Sequence, residues 1–305
     1  MSRDPEPAAA DRRCGFIAVI GAPNAGKSTL VNTLVGTKVS IVSHKAQTTR
    51  TALRGIAIAG ASQLVFIDTP GMFQPRRRLD RAMLEAAWGG VGDADLVLLL
   101  IDASKGLDAE SERILAKLET VAAPLILVLN KIDRVAKQRL LTLAADLNGR
   151  LQFAATFMVS ALDGSGVEDL KGYVARQVPA GPWHFPPDEV SDAPMRLLAA
   201  EITREKVYQR LHDELPYQIA VATTAWQEKK GGVRVEQTIF VERDSQRMIV
   251  LGKGGQMIKR LSIEARTELA EILGTPVHLF LHVKVREWEN DPERYQELGL
   301  TFPKA

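Results

Sequence analysis

The chain has 305 residues, 46% of them hydrophobic, and a formal net charge of +2. This length and composition allow two ordinary domains with an apolar core each, and they exclude a disordered or fibrous protein. Residues up to Gly181 include 22 basic and 18 acidic side chains, against 17 and 19 after it, so a nucleic-acid partner has to be argued from a local patch.

Three features of the sequence bear on the compartment. The single cysteine, Cys14, excludes an internal disulfide and favours a reducing environment. The first 13 residues are rich in Pro, Ala and charge, which predicts a disordered leader and not a signal peptide. No apolar stretch reaches the roughly 18 residues that a membrane span needs. We therefore expect a soluble, cytoplasmic protein.

Short apolar runs ending in turn residues alternate with segments of helical periodicity in the first 180 residues. This alternation predicts an α/β fold with a doubly wound, mostly parallel sheet, which binds ligands beyond the carboxyl ends of its strands. The predicted strands are Phe16–Ile20, Leu64–Ile67, Leu96–Ile101, Leu125–Leu129 and Phe153–Val159, and the predicted helices include Ala109–Leu118 and Leu140–Leu147.

Four prolines between Pro179 and Pro187 suit neither a helix interior nor a central strand, and they predict a domain boundary. We expect a first domain over 14–180, a linker over 181–193 and a smaller α+β domain over 194–305. Its predicted elements are a helix at Pro194–Leu211, strands at Gln218–Thr224 and Arg234–Val241, a helix at Gln256–Leu273 and a strand at Val277–Val285.

A phosphate-binding loop is predicted where the first strand meets the following helical stretch. The sequence GAPNAGKS matches GxxxxGK[ST] in the strand-to-helix context that the motif requires. Its backbone N–H groups face phosphates, Lys27 reaches the β- and γ-phosphates and the Ser28 hydroxyl ligates magnesium. The residues assigned to nucleotide binding here are Gly21, Ala22, Pro23, Asn24, Ala25, Gly26, Lys27 and Ser28.

Two further segments complete the predicted magnesium and γ-phosphate site. The sequence DTPG, formed by Asp68, Thr69, Pro70 and Gly71, ends the next apolar run, so the Asp68 carboxylate can face magnesium and the Gly71 N–H the γ-phosphate. The polar segment QTTR, Gln47–Arg50, is suited to ordering around the γ-phosphate and magnesium. Both Thr48 and Thr49 offer a hydroxyl, and we favour Thr49. The predicted metal ligands are therefore Ser28, Thr49 and Asp68, and the predicted catalytic residues are Lys27, Thr49 and Gly71.

Guanine recognition is predicted after the strands Leu125–Leu129 and Phe153–Val159. In NKID, the Asp133 carboxylate can accept from N1–H and the exocyclic amine of guanine, donors that adenine lacks. Lys131 would lie along the ring, and Asn130 would tie this loop to the phosphate loop. Ser160 and Ala161 follow the next strand, and the Ala161 N–H is assigned to the guanine carbonyl.

A second candidate site lies in the smaller domain. The sequence GKGG, formed by Gly252, Lys253, Gly254 and Gly255, precedes a predicted helix and matches the GxxG loop of a KH module. From Ser245 to Arg266 there are five basic residues and one acidic residue, a local patch that favours RNA binding. The residues assigned to RNA are the four of GKGG together with Lys259, Arg260 and Arg266.

GxxxxGKS, DTPG, NKxD and SA in this order resemble the translation-factor-related GTPases. The GxPNxGKS form, the QTTR segment and the second domain, where IEAR follows GKGG and the order αββααβ suits a type II KH domain, resemble the Era family within the TrmE-Era-EngA-like group. The resemblance covers almost the whole chain after the leader. It implies GTP, GDP and Mg²⁺ as ligands, and a monomer that binds the 3′ end of 16S ribosomal RNA and assists 30S subunit assembly and rRNA maturation. Peripheral association with the inner membrane is a further possibility that it raises.

Met72 stands where Ras-like enzymes have the glutamine that orients the attacking water. A thioether cannot orient water, so we expect slow intrinsic turnover. Resemblance to GTPases with a hydrophobic residue here suggests that Asn24 holds a potassium ion near the developing negative charge.

Two other functions compete with an RNA-binding GTP switch. A metabolic kinase could use the same phosphate loop but gains nothing from NKID, and a scaffolding GTPase would have a second domain that never touches RNA. Among the other side chains, we interpret His278 and His282 as part of a half-buried strand and not a metal site, Arg76–Arg78 as a solvated loop, and Trp183 and Phe185 as residues that pin the domains together.

Overall fold

The chain folds into two compact units. The computed structural model describes residues 11–43, 45, 48–50, 52–75, 77–212, 215–288, 291–298 and 300–302, so most of the leader, Gln47 of QTTR and Arg76 lie outside the described residues. The first unit spans 1–40, 49–192 and 299–305, and the second spans 41–48 and 193–298. The division after Asp192 falls within the predicted linker, whereas the assignments of 41–48 and 299–305 differ from the predicted boundaries.

The first unit is built on a six-stranded sheet in the order β2-β3-β1-β4-β5-β6. All its strand pairs are parallel except β2 with β3. The mostly parallel sheet confirms the predicted α/β fold. The strands are β1 (Arg13–Gly21), β2 (Leu53–Ala59), β3 (Ser62–Asp68), β4 (Leu96–Asp102), β5 (Leu125–Asn130) and β6 (Ala155–Val159).

Helices cover both faces of this sheet. Alternate residues of β1 enter opposite core clusters, Ile17 and Val19 on one face and Ala18 and Ile20 on the other, as expected for a strand buried on both sides. The helices are α1 (Lys27–Val35), α2 (Arg78–Gly92), α3 (Ala109–Leu118), α4 (Lys137–Arg150) and α5 (Val167–Gln177). The sheet is thus buried, and its polar side chains collect at the strand ends.

The strand β2 has no counterpart among the predicted elements. Its sequence, LRGIAIA, contains a glycine and two alanines, which have low strand propensity. It lies at the edge of the sheet, where its pairing with β3 decides its conformation. The strand therefore depends on a partner that the local sequence does not show.

The proline-rich linker packs against the first unit. Trp183 donates its indole N–H to the Ala61 carbonyl at 3.0 Å. The Gln63 side chain accepts from the His184 and Phe185 N–H groups and donates to the Phe185 carbonyl at 2.8 Å. The aromatic residues of the linker therefore hold it on β3, and the expectation that they pin two domains together receives no support from these contacts.

The second unit contains α6 (Met195–Arg210), β7 (Ala220–Lys229), β8 (Gly232–Val241), α7 (Asp244–Leu251), α8 (Gln256–Leu273), β9 (Val277–Val285) and the short α9 (Pro292–Glu297). Its sheet has the order β7-β8-β9, with β7 antiparallel and β9 parallel to β8. Up to β9 the element order is αββααβ, as predicted for the smaller domain.

The helix α6 is enclosed on all sides. Every residue from Leu198 to Tyr208 is buried, including Glu201, Arg204, Glu205 and Lys206. A buried charge is costly unless it is paired. The charged residues of α6 therefore need partners within the unit. Among the described residues, no helix combines the length and the hydropathy needed to cross a bilayer.

Candidate functional site

The loop between β1 and α1 approaches the loop after β5 closely. Gly26 has φ +102°, and a Cβ at this position would lie 2.3 Å from Nδ2 of Asn130. Only glycine fits both the left-handed backbone and this contact. Asn24 also has positive φ, at 64°, so the loop curls in the way that a phosphate-binding loop requires.

Lys27 begins α1, and its ammonium group lies inside the loop. Its Nζ donates to the carbonyls of Gly21 at 3.0 Å and Ala22 at 3.2 Å. Burial lowers the pKa of Lys27 to about 8, against the opposing effect of the Asp68 carboxylate. A buried ammonium with only neutral carbonyl acceptors is suited to an anionic ligand.

The three predicted metal ligands lie together. Ser28 Oγ is 2.9 Å from Thr49 Oγ1, which is 3.4 Å from Oδ2 of Asp68. Burial raises the pKa of the Asp68 carboxyl, while hydrogen bonds from Ser40, Ser28 and Thr49 and the charge of Lys27 act in the opposite direction. Asp68 is fully buried, and its Oδ1 has no hydrogen-bond partner among the described residues. A carboxylate oxygen and two hydroxyls are hard oxygen donors, so the set fits Mg²⁺.

Two residues that the sequence did not point to support this set. Ser40 Oγ donates to Oδ2 of Asp68 at 2.6 Å. Asn32 of α1 holds Val39 and Ser40 in place. Its Oδ1 accepts from the N–H groups of both residues, and its Nδ2 donates to the Ser40 carbonyl. The link between Ser40 and Asp68 spans 28 residues, and no local motif signals it.

The structure separates the two candidate threonines. Thr48 Oγ1 donates to the Lys45 carbonyl at 2.8 Å, away from the metal-ligand set, whereas Thr49 faces Ser28. The Thr48 carbonyl accepts from Nη2 of Arg204. Thr49 is therefore placed as expected, and Thr48 contributes its backbone to a different contact.

Two residues of α6 hold the segment 41–48 within the second unit. Arg204 is 2% exposed, pairs with Glu201 and stacks over Tyr208, and its Nη1 lacks a partner among the described residues. Burial acts to lower the pKa of Arg204, but the interactions with Glu201 outweigh it and raise the pKa. Glu205 accepts from the Val42 N–H at 2.7 Å. Neither side chain was singled out from the sequence, since a helical pattern does not distinguish a charge that will be buried.

The loop after β5 is joined to the phosphate loop by Asn130. Its Nδ2 donates to the Ala25 carbonyl at 2.8 Å and its Oδ1 accepts from the Ala161 N–H at 3.0 Å. The side chain thus joins three loops, as expected for the link between base and phosphate loops. The Ala161 N–H, which we had assigned to the guanine carbonyl, is already bonded, and the residue is 3% exposed. The assignment of the Ala161 N–H to the guanine carbonyl stays a prediction, which requires this N–H to exchange Asn130 for the base.

Lys131 is held by a residue that the sequence analysis missed. Its Nζ donates to Oδ2 of Asp102 at 2.6 Å and to the Asn24 carbonyl at 2.7 Å. Burial acts to raise the pKa of Asp102, but the hydrogen bonds from Lys131 and Ser104 outweigh it and hold the pKa below its usual range. Asp102 ends β4 as Asp68 ends β3, a sequence signal that could have found it.

Asp133 is oriented by Ser160. The Ser160 hydroxyl donates to Oδ1 of Asp133 at 2.9 Å, and Ser160 itself is fully buried. Asp133 is more exposed, with 28% of its side chain accessible. Its Oδ2 lies 3.4 Å from Nε of Arg134, so Ser160 and Arg134 each hold one carboxylate oxygen while the side chain stays partly accessible at the loop surface.

The DTPG segment packs against the phosphate loop. A Cβ at Gly71 would lie 3.1 Å from Cα of Pro23, and the Met72 N–H donates to the Gly21 carbonyl at 3.2 Å. Thr69 Oγ1 donates to the Val19 carbonyl. The Met72 side chain is 2% exposed and lies in the core, so it presents no polar group to a reacting water.

The GKGG loop joins α7 to α8 in the second unit. Gly252, Gly254 and Gly255 all have positive φ, between 60° and 76°. A Cβ at Gly252 would lie 2.7 Å from that of Met257, whereas no atom lies within 4 Å of one at Gly254 or Gly255. The loop is thus a turn with open backbone on its outer side, where Lys253 is exposed.

The basic residues around this loop differ in their availability. Lys253, Lys259 and Arg266 are exposed, and no ion pair involves them in the described part of the chain. Arg260 pairs with Glu264 at 3.0 Å, and Glu264 also binds Arg210. The predicted patch is therefore present, with Arg260 partly neutralised.

The described residues contain no group of three or more His, Cys, Asp and Glu side chains that could hold a metal ion. His278 and His282 lie on β9, as our interpretation of them as strand residues expected. Both are exposed, however, and not half-buried.

Comparisons with known proteins cover both units. A family described as "50S ribosome-binding GTPase" matches residues 16–131, and a family described as "KH domain" matches residues 214–290. The protein "GTPase Era" of Bradyrhizobium sp. (strain BTAi1 / ATCC BAA-1182) is 62% identical to the chain over 97% of this chain and 96% of its own length.

Two solved structures are similar to almost the whole chain. One is a variant of Aquifex aeolicus Era bound to GDP·AlF₄⁻, and the other is Era in complex with MgGDPNP and nucleotides 1506–1542 of 16S ribosomal RNA. Each has a TM-score of 0.88 and 36% sequence identity, and covers 94% of this chain and 99% of its own.

Proposed function

The chain belongs to the Era family of GTPases, and we propose that it is a slow GTP switch that binds the 3′ end of 16S ribosomal RNA and assists 30S subunit assembly and rRNA maturation. The observation that carries the GTP-binding part is the side chain of Asn130. It donates to the phosphate loop and accepts from the loop after β6. Phosphate binding and guanine recognition therefore belong to one site.

We assign roles to the residues of that site from their positions. The backbone of 21–28 and the Lys27 ammonium bind the phosphates, and Asp133 accepts the guanine donors. Ser28, Thr49 and Asp68 would hold Mg²⁺, which neutralises phosphate charge when it is bound. Gly71, close to Pro23, would donate its N–H to the γ-phosphate. The Ala161 N–H would donate to the guanine carbonyl once it exchanges Asn130 for the base.

Slow turnover follows from the absence of a water-orienting side chain at Met72. That residue is buried in the core, whereas an orienting glutamine has to reach the attacking water. We propose that a potassium ion near Asn24 compensates in part. Asn24 has a left-handed backbone, and its carbonyl accepts from Lys131. It lies in the loop before α1 and not in the helix.

RNA binding is assigned to the GKGG loop and its basic surroundings. The relative in complex with nucleotides 1506–1542 of 16S ribosomal RNA supports this partner. The open backbone at Gly254 and Gly255 allows the close approach of an RNA backbone that a GxxG loop makes. Lys253, Lys259 and Arg266 supply positive charge for the phosphates.

We further propose that the segment 41–48 carries the nucleotide state to α6. Thr49 faces the metal-ligand set, and the carbonyl of the preceding residue, Thr48, accepts from Arg204. An ordered Thr49 therefore favours the Arg204 contact. If the segment leaves, Arg204 loses an acceptor in a buried environment, which costs free energy.

The remaining parts of the proposal concern location and assembly. A partner in the small ribosomal subunit and the buried free thiol of Cys14 support a cytoplasmic location, and the family resemblance is the ground for proposing a monomer. A peripheral contact with the inner membrane is included because the family resemblance raises it.

Replacing Asp133 by Asn should change the preferred nucleotide from GTP to XTP. The amide donates where guanine also donates, so two charge-assisted hydrogen bonds are lost and GTP binding weakens about 100-fold or more. Titration of both nucleotides measures the change, with Asp169→Asn on α5 as the control. An unaltered preference for GTP would contradict the assignment of the base site.

Potassium dependence tests the role of Asn24. Turnover of GTP should be faster in potassium chloride than in sodium chloride, and Asn24→Gly should remove the difference. Glycine is chosen because it accepts the left-handed backbone at this position. Equal turnover in the two salts, or full potassium stimulation in the variant with an unchanged KM, would exclude this site.

The double change Lys253→Asp and Gly254→Asp should abolish binding of a 16S rRNA 3′-end fragment and leave GTP turnover unchanged, because negative charge repels phosphate. Anisotropy of labelled RNA and phosphate release measure the two activities. Lys137→Asp with Gln138→Asp on α4 makes the same change of charge as a control. Undiminished RNA affinity in the first variant would favour a scaffolding role for this domain.

Removal of the Arg204 contact should weaken the dependence of RNA affinity on nucleotide. We expect the ratio of RNA dissociation constants with GDPNP and GDP to move at least about fivefold toward one. The double variant Arg204→Gln with Glu201→Gln avoids an unpaired buried carboxylate, and Arg210→Gln is the control on the same helix. A ratio equal to that of the wild type in the folded double variant would refute the coupling.

A further inference from the structure

One face of the sheet in the second unit has an unusual set of side chains. Along β9, Val277 and Leu279 are buried in a core cluster, to which Leu281 also packs, and the intervening side chains point to the opposite face. In the parallel register, Arg234 lies beside His278 and Glu236 beside Phe280, whereas the β8 neighbours of His282 and Lys284 are the buried Thr238 and Phe240. We call Arg234, Glu236, His278, Phe280, His282 and Lys284 the open sheet face.

Phe280 is 43% exposed on this face. A single exposed apolar residue needs no explanation, but Phe280 is part of a stacked pair. The Arg234 guanidinium lies 4.4 Å from the centroid of the Phe280 ring. Nε and Nη2 of Arg234 both donate to Oε1 of Glu236, at 3.0 Å and 2.8 Å. The guanidinium plane is therefore held in place before any ligand arrives.

Three rings follow one another at alternate positions of β9. His278, Phe280 and His282 are all exposed and lie on the same face, about 6.6 Å apart along the strand. Unpaired RNA bases stack on aromatic rings, histidine rings and arginine planes, and a sheet that presents such groups can stack two or three bases.

Basic and acidic residues both lie near the face, with the exposed Glu228 directly before Lys229. Lys284 lies on it, and Lys229 and Lys230 are exposed in the turn where β8 begins. The acidic residue on the face, Glu236, is paired with Arg234. A face with stacked rings and basic residues suits a polyanion with planar bases better than an acidic protein surface.

We propose that the open sheet face is a second RNA contact, on which unpaired bases of the RNA held by the GKGG loop stack against Phe280, its histidine neighbours and Arg234. The inference rests on the proposed function, since it concerns the same RNA. The face lies on the side of the sheet opposite the core that α6 and α8 cover, so it is distinct from the loop.

Two observations support a contact beyond the loop. A GxxG loop clamps about four nucleotides, whereas the relative binds nucleotides 1506–1542, a far longer fragment. The helix that leads into the loop, α7, packs beside β9, with Val250 and Val283 in one cluster. β9 is also the edge strand, so RNA that leaves the loop can reach the face around this edge.

The test compares two RNAs on the full chain, the fragment of nucleotides 1506–1542 and a single-stranded oligonucleotide of about four nucleotides. Phe280→Ala should weaken binding of the long fragment about tenfold, because stacking is lost, and leave binding of the short oligonucleotide unchanged. Phe280→Trp should restore the affinity. Leu141→Ala, an exposed truncation on α4, is the matched control.

Salt dependence separates stacking from charge. Phe280→Ala should leave the slope of log K against log salt unchanged, while Lys284→Gln should reduce it by about 0.7.

Unchanged binding of the long fragment by Phe280→Ala overturns the inference, as does equal weakening of the binding of both RNAs. Weaker binding to the 30S subunit with normal RNA affinity also overturns it, in favour of a protein partner. Failure of the wild type to bind either RNA would instead refute the proposed function.

Discussion

The buried carboxylate of Asp68 is the group around which the first unit is organised. A charge without water costs several kcal/mol unless hydrogen bonds and opposite charge compensate it. Ser40, Thr49 and Lys27 supply part of this compensation, while one carboxylate oxygen has no partner among the described residues. Three features meet at Asp68, namely the ends of the strands, the contacts that Asn32 makes and the phosphate loop. A bound cation would compensate the charge that remains there.

Compensation of buried charge by nearby partners also explains why α6 can be buried on all sides. A helix with four consecutive polar or charged residues would normally keep one face in water. Glu201 compensates Arg204, and Glu268 and Glu205 compensate Lys206. The Val42 N–H donates to Glu205 and the Thr48 carbonyl accepts from Arg204, while Nη1 of Arg204 has no partner among the described residues. Val42 and Thr48 thus contribute to the burial of the α6 charges although they belong to no helix or strand.

The sequence predicted the parts that local chemistry determines. A parallel sheet brings its strand ends to one edge, so Lys27, Asp68 and Asn130 could be grouped from the motifs alone. Ser40 and the contact of Arg204 with Thr48 could not, because these partners lie far apart along the chain and depend on tertiary packing. The Ala161 N–H shows the same limit, since its acceptor became visible only when the Asn130 side chain was placed.

Thr48 and Thr49 are adjacent in the chain but belong to different compact units. The Thr49 hydroxyl faces Ser28, while the Thr48 carbonyl accepts from Arg204. One planar peptide unit therefore carries both the Thr48 carbonyl and the Thr49 Cα. The φ and χ1 torsions of Thr49 are the freedom between that carbonyl and the Thr49 hydroxyl, so the coupling proposed for this segment depends on how firmly Ser28 and Asp68 hold the hydroxyl.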